Sequence, residues 1–276
     1  MTLMMPRLRV LAALPLVAAC SMTAACDLAL SGAREEATET VTRTFPLSPG
    51  GTLDISTTNG RIEVVAGSGS TVEVKATKVA KAATKEGAAE LLKKLQIKED
   101  VTADLVKLRA ERDGGSGPSL QGWGTSAEVR YVVKVPVNTK VLLSTTNGHI
   151  EVVDVTAAAH LETVNGQINA RGLGGEVKAS TVNGGVDIGL ASLAGNVTVE
   201  TTNGGVTVRV PRDAKALLLG RTTNGGLSID DLTVEEVERS RRRLEAKLNG
   251  GGSRIEAETT NGGITFTAAP APPNRS

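Results

Sequence analysis

Aromatic residues are nearly absent from this sequence. Its 276 residues include one Trp, one Tyr and two Phe, namely Phe45, Trp123, Tyr131 and Phe266. Because a globular core of this size normally uses more aromatic side chains, the composition favours a narrow core filled by Val, Ile, Leu, Thr and Ala. The shortage also removes the stacking platforms on which proteins bind single-stranded nucleic acid.

An excess of charge of one sign is also missing. The chain has 31 Lys and Arg residues against 30 Asp and Glu residues. A dedicated nucleic-acid-binding protein is strongly basic on at least one face. We therefore expect no nucleic-acid partner.

Metal-ligating residues are scarce and poorly spaced. The two histidines, His149 and His160, are far apart for ligands of one metal ion, and both are expected to be exposed surface residues. A calcium-binding β-roll needs Asp in every repeat. The repeat described below instead has a mixed set at the relevant position: Glu63, Glu151, Asn169, Asp187, Thr207, Ser228 and Thr265. The sequence predicts neither a metal nor another cofactor.

The N-terminus has the pattern of an export signal. Arg7 and Arg9 precede an apolar run from Val10 to Val17, and small residues follow it. The run is too short for a transmembrane helix and contains Pro15. Residues 1–19 are therefore predicted to be a signal peptide, which extends to residue 25 in an alternative interpretation.

Both cysteines lie at or just after the end of this signal. The sequence that ends at Cys20 resembles a bacterial lipobox, and the one that ends at Cys26 is a poorer match. We predict that Cys20, or alternatively Cys26, carries a lipid anchor, although a disulfide or inert thiols would also fit two such residues. Residues 20–40 are predicted to be a tether. The protein would then be exported and held on a membrane of the cell envelope, facing the periplasm or the cell exterior.

A repeat organised around Asn-Gly occupies most of the remaining chain. A Thr stands two positions before each Asn, and aliphatic residues stand three positions after it. The seven copies are at Asn59, Asn147, Asn165, Asn183, Asn203, Asn224 and Asn261. An eighth Asn-Gly, at Asn249, lacks the Thr. Such self-similarity is typical of repeat architectures.

Polar and apolar residues alternate on both sides of each Asn-Gly, which indicates half-buried strands. Asn and Gly tolerate positive φ, so the dipeptide predicts a tight corner. An antiparallel meander would use this corner as a hairpin turn. A solenoid would stack each corner on the next, which explains better why Thr, Asn and Gly recur together. We therefore predict an all-β fold, a single-stranded β-solenoid of the β-helix or β-roll type.

Interruptions of the pattern define the other segments. The β-solenoid is predicted over residues 41–267, with one short helix inserted at about residues 82–95 and a flexible loop over residues 114–126. The segment 233–248 is ambiguous, because Thr233 and Glu236 have the spacing of a helical capping box while its second half alternates like a strand. We predict a helix or loop in its first half and a strand in its second half. Residues 268–276 are predicted to be a disordered tail.

Few residues stand out as functional candidates. Trp123 in the Gly-rich loop and a basic cluster of Arg241, Arg242 and Arg243 are candidate contact residues. Adjacent acidic residues make a solvated, charge-balanced face the simpler interpretation of the cluster. Glu162 and Glu200 lie on repeat faces, but nothing in the sequence pairs them as an acid and a base. No catalytic residues and no enzymatic activity are predicted.

The combined features resemble the DUF4097 group, an adhesin-like family related to the GIN head domains. The resemblance is carried by the lipobox-like start, the opening Arg43-Thr44-Phe45-Pro46-Leu47 and repeats such as Thr201-Thr202-Asn203-Gly204-Gly205-Val206. The interruptions at Lys85 to Leu95 and Arg241 to Gly252 are also similar to those of the group. This resemblance, over about Val41 to Thr267, implies a single-stranded β-solenoid on an exported bacterial protein, without catalytic residues.

Together these features predict a lipid-anchored envelope protein whose β-solenoid acts as an adhesin-like binding or structural surface, with an envelope protein or a glycan as partner. One alternative is a β-helix protein that binds or cleaves polysaccharide. Another is a self-assembling scaffold, because solenoid ends can pair edge to edge. The oligomeric state stays open.

Overall fold

The computed structural model describes residues 34–113 and 125–270, and within them the chain is nearly all β with one helix. The expectation of an all-β fold with one short inserted helix is therefore confirmed. The predicted signal peptide, Cys20, Cys26, Trp123 and the end of the predicted tail from residue 271 lie outside the described residues. So do most of the predicted tether and most of the predicted loop.

The elements follow one another along the chain with short connections. The first part contains β1 (Glu35–Pro46), β2 (Thr52–Asn59), β3 (Ile62–Gly67), β4 (Thr71–Ala82), α1 (Lys85–Lys93), β5 (Leu95–Val101), β6 (Leu105–Arg112) and β7 (Ser126–Pro136). The regular repeats follow as β8 (Lys140–Asn147), β9 (Ile150–Val153), β10 (Ala159–Asn165), β11 (Ile168–Leu173), β12 (Val177–Asn183), β13 (Val186–Leu190), β14 (Val197–Asn203) and β15 (Val206–Val210). The last part contains β16 (Ala216–Asn224), β17 (Leu227–Asp230), β18 (Val234–Arg239), β19 (Arg243–Leu248), β20 (Ser253–Asn261) and β21 (Ile264–Ala268).

Each repeat forms one coil, with a strand before its Asn-Gly corner and a strand after it. In β14 the residues Val197, Val199 and Thr201 are buried, whereas Glu200 and Thr202 are exposed. The strand after the corner, β15, again buries alternate residues. The period-two pattern therefore directs one face of every strand into a narrow core of mainly aliphatic side chains.

The coils stack through two large sheets of mostly parallel strands. Strands before the corners form most of an eleven-stranded sheet, called here sheet 2, and strands after the corners form most of a ten-stranded sheet, called sheet 1. Asn165 in β10 is aligned with Asn147 in β8 and with Asn183 in β12, in parallel register. This pairing excludes the antiparallel meander for the repeats.

The order of the coils in the stack differs from their order in the chain. Coil by coil, the corners succeed one another as Asn59, Asn147, Asn165, Asn183, Asn203, Asn261 and Asn224. The last coil of the chain, β20 and β21, therefore lies between the coil of β14 and β15 and the coil of β16 and β17. At the other end, β6 and β7 pair on the outside of β2 and β3, although they follow them in sequence.

Antiparallel strands and the helix cover the first end of the stack. β4 pairs with β7, β1 pairs with β4, and β5 pairs with β6. Helix α1 packs against β4 and β1, and the hydroxyl of Thr84 caps it by accepting a hydrogen bond from the Gly87 N–H at 3.1 Å. The predicted tether is too long, because residues from Glu35 onward lie in β1 and pair with Ala82 and its neighbours.

A β-hairpin covers the edge of sheet 2 at the second end. β19 pairs antiparallel with β16, and β18 pairs antiparallel with β19. The prediction of a helix or loop in the first half of segment 233–248 is therefore wrong, and the strand in its second half is confirmed. β19 pairs with the open edge of β16, and β18, which contains the helical spacing, pairs with β19; this strand pairing overrides the local helical spacing. Glu236, the residue of the predicted capping box, instead forms an ion pair with Arg239 at 2.5 Å.

Candidate functional site

The corner asparagines form one continuous ladder of side-chain hydrogen bonds. In six steps the Nδ2 of one Asn donates to the Oδ1 of the Asn on the neighbouring coil, at 2.8–2.9 Å. At the first end of the stack, Nδ2 of Asn59 donates to the carbonyl oxygen of Ala127 in β7 at 3.2 Å. All amides therefore point in one direction, so that the ladder has a donor end and an acceptor end.

The threonines and glycines complete each corner. Six of the seven Thr hydroxyls donate to the corner Gly carbonyl of the neighbouring coil, at 2.9–3.2 Å. These Thr residues are buried, so their hydroxyls need such partners. A side chain on the corner Gly would place its Cβ only 1.8–2.0 Å from that same carbonyl oxygen on six of the coils. Gly is therefore required by the close approach of the backbones.

Positive φ does not explain these corners, contrary to the sequence argument. Among the seven corner dipeptides only Gly60 has a positive φ, of 132°, and none of the seven Asn residues has one. The eighth dipeptide behaves differently, since Asn249 has φ of 50° and Gly250 has φ of 84°. Asn249 lies outside the ladder, where its Nδ2 donates to the carbonyl oxygens of Arg212 and Ala214 at 2.8 Å.

The acceptor end of the ladder lies at the coil of β16 and β17. On six coils the corner Gly N–H donates to the Asn carbonyl of the next coil, at 2.9–3.1 Å. No coil follows Asn224, and within residues 34–113 and 125–270 neither its Oδ1 nor the Gly225 N–H has a hydrogen-bond partner. The end coil therefore presents a free donor and a free acceptor side by side.

A groove and a pocket adjoin this end, where the hairpin turn meets the outer face of sheet 2. The first cavity, called here the groove, measures about 560 Å³ and is lined by residues of β12, β14, β20, β16 and the turn. The second, called the end pocket, also measures about 560 Å³ and is lined by Thr223, Asn224, Gly225, Ser240, Arg241 and Arg242. Thr223 lies at the point where the two cavities meet, because it lines both.

Hydroxyls and charged side chains line the groove. Glu200 on β14 and Glu258 on β20 are register partners on adjacent strands, and Arg221 on β16 is the next residue in the same row. Arg221 donates to Glu258 at 3.3 Å. The sequence offers Glu162 beside Glu200 on the repeat faces but gives no sign of Glu258, because only the altered coil order makes Glu258 a neighbour of Glu200.

The three candidate arginines of the turn have different surroundings. Arg243 forms ion pairs with Glu238 at 3.2 Å and with Glu245 at 3.6 Å. Arg241 and Arg242 have no carboxylate partner in the part of the chain that the structure describes. Acidic neighbours in the sequence therefore neutralise only Arg243 of this cluster, together with the nearby Arg239.

The other candidates are not gathered at this site. His149 follows a corner and accepts a hydrogen bond from the Gln167 N–H at 3.0 Å, whereas His160 lies on β10. Among the described residues, no three His, Cys, Asp or Glu side chains are arranged to hold a metal ion. Within residues 34–113 and 125–270, no helix is long and apolar enough to span a membrane.

Solved structures and one family model are similar to this chain. A putative cell adhesion protein from Clostridium sporogenes ATCC 15579 shares 15% identity, over 83% of this chain and 100% of that one, with a TM-score of 0.44. A putative adhesin (BF0245) from Bacteroides fragilis NCTC 9343 shares 11% identity, over 83% of this chain and 97% of that one, with a TM-score of 0.41. No curated protein matches the sequence. Residues 132–267, from β7 to β21, match the family model described as Toastrack DUF4097.

Proposed function

We propose that this protein is an exported, lipid-anchored component of the bacterial cell envelope whose single-stranded, non-catalytic β-solenoid presents an adhesin-like binding surface. The observation that carries the proposal is the groove on the outer face of sheet 2. Its volume of about 560 Å³ lies in the range of binding sites for small molecules or short chain segments. The Asn and Thr side chains of the corners between stacked coils, in contrast, hydrogen-bond to neighbouring coils and serve the scaffold.

The position of the groove suits presentation away from an N-terminal anchor. β1, the first strand of the chain, forms one edge of sheet 1, and the coil of β16 and β17 that borders the groove lies at the opposite end. With strands about 4.8 Å apart, nine strand spacings separate β1 from β17 by roughly 40 Å along the sheet. An anchor on Cys20 or Cys26 would therefore leave the groove at the end distant from the membrane.

The lining of the groove favours a glycan over an apolar peptide as its occupant. The exposed hydroxyls of Thr202, Thr223 and Thr260 line the groove together with the carboxylate of Glu200, and the lining includes no aromatic or large apolar side chain except Val182. Hydroxyl and carboxylate groups of this kind form hydrogen bonds with saccharide hydroxyls. The second candidate function, a polysaccharide-binding or polysaccharide-cleaving protein, is favoured by the adjacent carboxylates of Glu200 and Glu258.

We expect a Thr223→Trp substitution to abolish binding of the purified protein to isolated cell envelopes in a sedimentation assay. The indole would fill the junction of the groove and the end pocket. Thr58→Trp is the matched control, because Thr58 holds the same exposed motif position on the coil of β2, away from the groove. Equal binding by both variants would contradict a role for the groove, and release of new reducing ends would favour the polysaccharide-cleaving alternative.

The anchoring part of the proposal has its own test. We expect the protein to fractionate with membranes, and to become soluble when Cys20 and Cys26 are both changed to Ser. Globomycin, which inhibits the lipoprotein signal peptidase, should cause the unprocessed precursor to accumulate. Unchanged membrane fractionation and processing in both experiments would refute lipidation while leaving the groove unaffected.

A further inference from the structure

The end pocket has the features of an anion-binding site. Its lining contains two guanidinium groups, two hydroxyls and a free backbone N–H, and no carboxylate. We propose that it binds the negatively charged group, a phosphate or a similar oxyanion, of an anionic glycan whose sugar residues extend into the groove. This inference rests on the proposed function, since it specifies the ligand of the same surface.

The corner ladder places the Gly225 N–H where it can donate to an incoming oxygen. At each of the six equivalent corners, this N–H donates to a carbonyl oxygen of the next coil at 2.9–3.1 Å. In the described part of the chain, no coil follows the end coil. The position that the next carbonyl oxygen would occupy therefore lies on the side of the end pocket. An oxyanion oxygen at that position would restore the hydrogen bond that every other corner makes. Backbone N–H groups held in this way bind anions in many proteins.

The hairpin ends just before this position and leaves it uncovered. The last backbone contact between the hairpin and β16 is the hydrogen bond from the Thr222 N–H to the Arg242 carbonyl at 3.1 Å. Thr223, Asn224 and Gly225 continue beyond it without a covering strand. The pocket is therefore the space between the end of the last corner and the side chains of the turn.

The turn holds its two free arginines in a defined backbone conformation. The Ser240 Oγ accepts hydrogen bonds from the N–H groups of Arg242 at 3.4 Å and Arg243 at 3.0 Å. The Ser240 N–H also donates to the Arg243 carbonyl at 2.8 Å. An ordered turn reduces the entropy that is lost on binding. The planar guanidinium groups of Arg241 and Arg242 can each donate two parallel hydrogen bonds to an oxyanion.

Charges on the neighbouring elements do not neutralise these two residues. The acidic residues nearest to the turn in sequence, Glu236, Glu238 and Glu245, are paired with Arg239 or Arg243. In the groove, Glu258 is paired with Arg221. Glu200 is the one groove carboxylate that has no cation partner in the described part of the chain, and it lies on β14, two strands from β16. The end pocket therefore keeps a net positive charge.

A glycan fits this arrangement better than a free ion. Oδ1 of Asn224 is an acceptor that receives no hydrogen bond from the described residues, which disfavours a second anionic oxygen but suits a sugar hydroxyl. Arg242 and Thr223 line both cavities, so a ligand bound in the end pocket can continue into the hydroxyl-rich groove. The distance of this end from the N-terminal strand argues against the headgroups of the membrane that would hold the anchor.

The test is a titration of the purified, isotope-labelled protein followed by the NMR signal of the Gly225 amide. We expect inorganic phosphate and glucose 6-phosphate to shift this signal, glucose 6-phosphate to bind more tightly than phosphate, and glucose to have little effect. The double variant Arg241→Gln, Arg242→Gln should weaken binding at least tenfold. The control double variant, Arg109→Gln with Arg112→Gln, removes the same charge from β6 at the opposite end of the stack. It should change the affinity for glucose 6-phosphate less than twofold.

Several results would overturn the inference. No shift of the Gly225 amide at tens of millimolar phosphate, or equal weakening in both double variants, would exclude a specific anion site. Equal affinity for phosphate and glucose 6-phosphate would exclude the glycan part. Binding to phosphatidylglycerol vesicles that requires Arg241 and Arg242 would indicate a lipid ligand instead. After any of these results, loss of envelope binding in Thr223→Trp would still support the proposed function. Failure of the anion-site inference can therefore be distinguished from failure of the proposed function.

Discussion

We expect Gly184→Ala to lower the free energy of unfolding by about 3 kcal/mol or more. A Cβ on Gly184 would lie 1.9 Å from the carbonyl oxygen of Gly166 and 2.6 Å from its carbonyl carbon. Both atoms belong to backbone that is fixed by its own stacked corner. The clash can therefore be relieved only by separating two coils, which would also strain the Thr and Asn hydrogen bonds.

The adjacent residue provides the control. A Cβ on Gly185 would meet its nearest atom, the Gly205 carbonyl oxygen, at 3.4 Å, which is an ordinary contact. Gly185→Ala should therefore change the free energy of unfolding by less than about 0.5 kcal/mol. Urea denaturation of the two variants measures the difference. Similar stabilities for both would show that the corners are looser than the stacked arrangement requires.

Asn183→Asp is expected to lower the free energy of unfolding by about 2 kcal/mol at neutral pH, although it changes one atom of the side chain. Asn183 donates to Oδ1 of Asn165 and accepts from Nδ2 of Asn203, both at 2.9 Å. An ionised Asp could still accept but could not donate. It would place a negative oxygen against the Asn165 oxygen in the middle of the ladder.

This destabilisation should depend on pH with a predictable sign. A protonated Asp can donate, so the folded state favours the neutral form and raises the pKa of the new carboxyl above its unfolded value of about 3.9. The loss of unfolding free energy relative to wild type is then fully present above the pKa that the new carboxyl has in the folded state. It disappears as the pH falls toward the pKa of the unfolded state. Urea denaturation should show that the difference in unfolding free energy between the variant and wild type at pH 4 is less than half of the difference at pH 7.

Asn196→Asp is the matched control for the ladder variant. Oδ1 of Asn196 accepts a hydrogen bond from the Arg254 N–H at 3.0 Å, and an Asp oxygen can do the same. Its stability should stay within about 0.5 kcal/mol of wild type at both pH values. A loss in Asn183→Asp that did not change with pH would indicate that the asparagine amides do not form a directional ladder.

Much of the fold was predictable because its local signals are strong. Alternation in segments such as Val197 to Thr202 identifies the strands and their buried faces, and the recurring Thr, Asn and Gly identify the corners. The reason for the corner glycines was not predictable. Positive φ is the common cause of glycine in turns, whereas close approach between backbones becomes apparent only when Gly184 and Gly166 are stacked.

The order of the coils could not be derived from the repeat itself. Asn224 and Asn261 belong to the same Thr-Thr-Asn-Gly-Gly motif. Both corners therefore present the same hydrogen-bond donors and acceptors, and either could stack on the corner of Asn203. Which coil is outermost depends on the β18–β19 hairpin, which pairs with the edge of β16. The sequence predicts a helix or loop where β18 forms, because strand pairing between distant residues at a sheet edge is not encoded in the local sequence pattern.

The candidate site depends on the same long-range order. Sequence analysis identified the arginine cluster, including Arg241 and Arg242, but not the row formed by Glu200, Glu258 and Arg221. It also could not identify the free N–H of Gly225, since this residue differs from the other corner glycines only in being last in the stack.

Disulfide formation between engineered cysteines tests the coil order, and with it the groove, most directly. In a background with Cys20 and Cys26 changed to Ser, Thr202→Cys should pair with Thr260→Cys, because these exposed residues lie side by side on adjacent strands. Thr202→Cys should not pair with Thr223→Cys, since the strand β20 lies between them and separates them by roughly 9–10 Å. Mass spectrometry after mild oxidation should show the first disulfide and not the second, and the opposite result would show that the coils stack in chain order.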